Sequence, residues 1–163
     1  MNQVNQKAVN ISAPNLVNIC INGLEHGEIQ GEVYHYYSEK PESFSSVVEL
    51  IRTMEKLFDY LMFPQASTRI RSFWEKENEI YPRRKREDKQ VSWEELLAHS
   101  GRIGTFITCV KFRQRSTWQG DFFWKEKEQK MFFSSALEFV RLLDQAVNQE
   151  QKKEKEEHGY EHE

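Results

Sequence analysis

The feature that most constrains this chain is an internal match. Residues about 16–58 align with residues about 105–147 at a constant offset of 89 positions, without a gap. Gln30-Gly31 falls on Gln119-Gly120, Glu39 on Glu128, and Phe44-Ser45-Ser46 on Phe133-Ser134-Ser135. Glu49 falls on Glu138 and Arg52 on Arg141. That makes 8 identities over the 29 positions from Gln30 to Phe58, where ordinary composition gives roughly two. Read backward, the same offset lays Cys20 on Cys109 and Ile21 on Val110. A chain repeated in this way folds as two similar units.

The second copy shows what the unit is. Thr105–Arg113 alternates, with Phe106, Val110 and Phe112 on one face and Ile107, Cys109 and Lys111 on the other. Period-two alternation of branched and aromatic residues predicts a strand. Trp118–Glu126 predicts a second strand with Trp118, Phe122 and Trp124 on one face. Gly120 shares that face and suits a close approach by another backbone or ring. After the polar turn Lys127-Glu128-Gln129, Lys130–Phe133 predicts a short third strand. The period then changes. Ala136, Leu137, Phe139, Val140, Leu143, Ala146 and Val147 recur at helical spacing.

The helix start is chemically marked. Ser135-x-x-Glu138 is a capping box, in which the serine hydroxyl takes the N3 amide and the glutamate returns to the serine amide. Ser46-x-x-Glu49 repeats it in the first copy, ahead of Val47, Val48, Leu50, Ile51, Met54, Leu57 and Phe58. Ser92-x-x-Glu95 is a third box, opening a short helix over Trp93–His99 that stops at Ser100-Gly101. One unit of about 45 residues is near the size at which a lone core becomes marginal. The expected fold is therefore α+β: two tandem βββα repeats with pseudo-twofold symmetry, antiparallel sheets that either pack together or pair edge to edge, and helices packed on one face. The expected division is a disordered tail (1–12), a first repeat (13–62), a charged linker (63–91), the short helix with the second repeat (92–148), and a charged disordered tail (149–163). In that last tail the helix is expected to persist for a turn or two before fraying.

Composition limits the function classes. The net charge is −3, so the surface as a whole does not suit nucleic acid, although a local basic patch can. Two cysteines are too few for a disulfide framework. No apolar run approaches the ~18 residues of a membrane span. The expectation is a cytoplasmic protein with no membrane partner. The spacing of His, Cys, Asp and Glu suggests no metal site and no cofactor. His158 and His162 lie four apart, but in a polar tail with Gly159 between them. His26 and His99 fall in a turn and at a helix end. His35 aligns with Trp124, which points to packing. Cys20 and Cys109 occupy equivalent strand positions and read as small buried hydrophobes.

One segment favours a ligand class. Arg69, Arg71, Phe73, Trp74, Tyr81, Arg83, Arg84, Lys85 and Arg86 combine cations with aromatics, the residue types that contact phosphates and stack on bases. Glu75, Glu77, Glu79, Glu87 and Asp88 nearly offset the charge. The order of a helix, three strands and a helix is similar to that of double-stranded-RNA-binding domains. Those carry lysines where this chain has Ser134-Ser135-Ala136-Leu137-Glu138.

The string Trp118-Gln119-Gly120-Asp121-Phe122-Phe123-Trp124, followed by Phe133-Ser134-Ser135-Ala136-Leu137-Glu138, resembles a family of small bacterial proteins with a W-x-G…F-x-S-x-x-E-L pattern. The first copy matches more loosely, with Ile29 in place of the tryptophan. The resemblance implies βββα units and brings no activity, substrate or catalytic residue with it.

The functional expectation is a non-enzymatic binding or adaptor protein. It engages a protein partner, or its own copy in a homo-oligomer, through the sheet edges or the segment 69–86. The alternative is a nucleic-acid-binding protein using that segment for DNA or RNA. An enzyme, third, needs His35 and a carboxylate brought into one pocket, with or without a cysteine.

Overall fold

The computed structural model of the chain describes residues 8–66, 73 and 89–159. The fold is α+β. β1 (Val17–Glu25), β2 (Glu28–His35) and β3 (Glu42–Phe44) lead into helix α1 (Val47–Leu61). A short helix, α2 (Trp93–Ala98), precedes β4 (Gly104–Phe112) and β5 (Gln119–Trp124). A 3-10 turn (Lys125–Lys127) then leads to β6 (Gln129–Phe133) and the long helix α3 (Ala136–Gly159). All six strands form one antiparallel sheet in the order β3-β2-β1-β4-β5-β6. The strands of the two halves therefore share one sheet. They join where β1 lies beside β4, with Val17 opposite Thr108, Asn18 opposite Ile107 and Ile19 opposite Phe106.

Period two sorts the strand residues onto two cores. On one face Val17, Ile19, Ile21, Val33, Phe106, Val110, Trp118, Phe122 and Trp124 meet Leu50, Met54 and Phe58 of α1 and Phe139, Leu143 and Val147 of α3. Aromatic edges meet faces through this layer, as between Phe58 and Trp118, and between Phe122 and Phe139. On the other face Ile107, Cys109 and Phe123 are covered by Leu96 and Leu97 of α2 and by Val9, Ala13 and Leu16. The expectation of all helices on one face is thus corrected: α2 packs on the opposite side from α1 and α3. The physical cause is that β4 and β5 are apolar on both faces, and each face needs a cover.

The caps form with one change of partner. Ser46 Oγ accepts from the Glu49 amide at 3.1 Å, Ser92 Oγ from Glu95 at 3.2 Å, and Ser135 Oγ from Glu138 at 3.1 Å. The returning carboxylate of Glu49 takes the amide and hydroxyl of Ser45, one residue earlier than a capping box requires. Glu138 likewise takes the hydroxyl of Ser134. α1 ends where Met62 adopts a left-handed conformation, just before the cis Phe63–Pro64 bond.

Gly31 and Gly120 have structural work in common. A Cβ on Gly31 would overlap the carbonyl oxygen of Cys20, and one on Gly120 that of Cys109. Each glycine faces the residue next to a β-bulge, which falls between Ile21 and Gly23 in β1 and between Val110 and Phe112 in β4. The second bulge also moves Phe112 off the core face on which alternation places it. Phe112 is exposed. Val48 and Leu137 also lie outside, each in the first turn of its helix.

Where the tails are described, both pack or continue regular structure. α3 continues to Gly159, well into the tail read as disordered, and Lys127 Nζ pairs with Glu150 Oε1 at 3.2 Å. Within the other tail Val9 is buried and Ile11 offers its carbonyl to the Tyr36 hydroxyl. Among the described residues no helix is long and apolar enough to cross a membrane.

Candidate interaction edge

Of the cationic and aromatic residues singled out in the sequence, Arg69, Arg71, Trp74, Tyr81, Arg83, Arg84, Lys85 and Arg86 lie outside the described residues. Phe73 is described and is fully exposed. The described residues on either side are fixed. Ala66 bridges to Arg113. The amides of Gln90 and Val91 both donate to the Tyr36 carbonyl, at 2.8 and 3.1 Å.

The two edges of the sheet differ in kind. β3 is three residues long, and its apolar residue, Phe44, is buried. β6 is five residues long, and Gln129, Lys130, Met131 and Phe132 are all exposed. Met131 retains 51% of its accessible surface and Phe132 66%. An edge strand also leaves alternate backbone N–H and C=O groups pointing outward, a template for another strand. Length, apolar side chains and free backbone therefore coincide at β6.

The surroundings of Phe132 are charged. Phe132 stands opposite Asp121 of β5, which stands opposite Cys109 of β4. Asp121 is buried, and its Oδ2 lies 3.1 Å from Lys111 Nζ and 3.5 Å from Lys130 Nζ. The same two ammonium groups lie 5.8 and 5.5 Å from the centroid of the Phe132 ring. Such contacts contribute about 0.5–1 kcal/mol each at exposed sites. The carboxylate thus holds two lysines against one exposed ring. Its other oxygen, Oδ1, is buried without a hydrogen-bond partner in the structure.

Of the residues that an enzyme would need, His35 and carboxylates meet in one cavity, whose lining includes neither cysteine. His35 lines a cavity of about 380 Å³ with Tyr34, Glu39, Glu95 and His99. His99 stacks on Tyr34 with centroids 3.7 Å apart, and the Tyr34 hydroxyl donates to Glu32 at 2.6 Å. Burial lowers the pKa of His35, opposed in part by Glu42. Burial pushes the Cys20 thiol up to about 12 and the Cys109 thiol up to about 11. Thiols in that range are protonated near neutral pH, whereas the thiolate is the nucleophile. Among the described residues no group of three His, Cys, Asp or Glu side chains could hold a metal ion.

Sequence reasoning named the sheet edges as a class without choosing between them. The signal was present: the offset of 89 lays Met131 on Glu42 and Phe132 on Ser43. It became readable only once those positions were known to be the two free edges. Comparison of the chain with protein-family models, with curated proteins and with solved structures finds no match.

Proposed function

We propose that this chain is a binding protein, a duplicated βββα scaffold that engages a protein partner by strand addition at β6. One observation carries the reading. β6 is the long, apolar edge of the sheet, left exposed among the described residues, and the opposite edge is short and offers Glu42 and Ser43 instead. In strand addition, main-chain hydrogen bonds supply affinity and alternate side chains supply specificity. Met131 and Phe132 would fill that second role on the two faces of the strand.

The duplicated scaffold has its own support. Val17 opposite Thr108 and Ile19 opposite Phe106 are one pair repeated under the offset of 89. Asn18 opposite Ile107 is the pair that maps onto itself. A pseudo-twofold axis through that pair relates the halves and makes β3 and β6 counterparts.

The test is a photoreactive residue placed at position 131 or, as control, at position 43, in the chain expressed in its native host. Protein adducts at 131 well above those at 43 are expected. Equal yields, or none, would remove the reading. Adducts at 131 that vanish on nuclease treatment would instead favour the nucleic-acid reading raised by Arg83–Arg86.

A further inference from the structure

We infer that the partner strand at this edge is β6 of a second copy, paired antiparallel about a twofold axis through Met131. This rests on the reading of β6 as an open pairing edge and names its occupant. The argument is self-complementarity. A twofold interface is isologous, so the same five residues must suit themselves in reverse. With Met131 on the axis, Met131 meets Met131 of the other copy. Lys130 stands opposite Phe132 of the other copy, and Phe132 opposite Lys130. Directly opposed residues share a face and lie ~4.5–5.5 Å apart at Cβ.

The three central pairs in that register are favourable, while the outer pair sets Gln129 against Phe133, whose buried side chain leaves only backbone to meet. Methionine at the centre is apolar, unbranched and able to adapt to its own copy. The flanking pairs set an ammonium against an aromatic ring, the contact that Lys130 and Phe132 already make within one chain at 5.5 Å. Asp121 lies on that same face in each copy and offsets part of the lysine charge. No like charges are placed directly opposite one another. The counterpart edge lacks this property. β3 is three residues long, and its exposed side chains, Glu42 and Ser43, are polar and offer no apolar centre. Pairing is therefore expected at one edge only, which closes the assembly at two copies instead of a growing sheet.

Five residues a side bury far less than the ~1,200–2,000 Å² of a stable interface, so the dimer is expected to be weak and to exchange rapidly. The test uses the purified full chain, followed by sedimentation equilibrium over a hundredfold range of concentration. A monomer–dimer equilibrium is expected. Met131→Lys sets two ammonium groups together on the axis and should weaken association at least tenfold. Position 131 is exposed, so the melting temperature of the dilute monomer should not change. Met131→Cys should form a disulfide dimer under mild oxidation while Ser43→Cys does not. The buried native thiols serve as the unmodified background.

A chain that stays monomeric throughout, with no disulfide at position 131, overturns self-pairing. If foreign adducts still form at residue 131 in the photocrosslinking experiment, strand addition then survives with another partner. Without them both readings fall. A dimer that persists in Met131→Lys would overturn this edge as the interface.

Discussion

Arg113 Nη1 lies 2.7 Å from Asp59 Oδ1, which ties the end of the fourth strand to the last turns of the first helix. The same nitrogen reaches Glu55 at 3.1 Å, and Arg113 Nε donates to the Pro64 carbonyl at 2.6 Å. The guanidinium is almost wholly buried while the two carboxylates are partly wet. Glu55 also accepts from the Trp118 indole. One basic residue thus joins helix, strand and the turn after the helix. Arg113→Ala should destabilise the chain by about 2–3 kcal/mol, measured by urea denaturation. That is below the ~3–5 kcal/mol for a fully buried pair, because Asp59 and Glu55 regain water. An unchanged midpoint would show that the cluster contributes nothing net.

Gly120 should tolerate no side chain. Its missing Cβ leaves the space that the Cys109 carbonyl occupies, and a backbone carbonyl in a paired strand cannot move without breaking the ladder. Gly120→Ala is expected to cost at least about 2 kcal/mol, the upper part of the range for overpacking. Gly31→Ala should behave in the same way against Cys20. Gly27 has nothing near its missing Cβ but adopts φ +78°, so Gly27→Ala should cost only the left-handed strain of about 1 kcal/mol. Thermal unfolding of the three variants gives the ranking.

His35 gives the chain a stability that depends on pH. Its Nδ1 accepts the Tyr37 amide at 3.1 Å, which requires the unprotonated nitrogen, and burial lowers its pKa. The unfolded state holds its proton near the ordinary value of ~6.5. The unfolded chain therefore binds more protons in this window, and stability rises with pH. The contribution is complete above about pH 6.5 and is lost as pH falls toward the lowered folded value. Glu42, with Oε1 4.0 Å from Nε2, opposes part of the loss. Urea midpoints should fall between pH 7.5 and pH 5.5, and His35→Gln should flatten that slope. A slope equal in both proteins would contradict the assignment.

Cys20 and Cys109 should be silent to thiol reagents in the folded protein. Both are buried and free, with pKa values pushed up to about 12 and 11. At pH 8 a chromogenic disulfide reagent should react with neither thiol until denaturant is added, and then with both. Rapid labelling of the native chain would show that one of these strands opens.

The sequence by itself determined the local elements. Alternation fixed the strands, the three serine caps fixed where each helix begins, and Gly120 marked a place of close approach. These are local matters, decided by dihedral preference and by hydrogen bonds spanning three or four residues. The tertiary structure decided the rest. That β1 lies beside β4 depends on contacts between residues about 90 positions apart, and no local pattern encodes such a choice. The same holds for α2. Its two leucines show that one side must be covered, but only the doubly apolar β4 and β5 decide which face of the sheet receives it. The edge is the clearest case. Met131 and Phe132 look like any strand residues until the order of strands leaves β6 outermost. A side chain becomes an interaction surface through what fails to cover it, and that is a property of the whole fold.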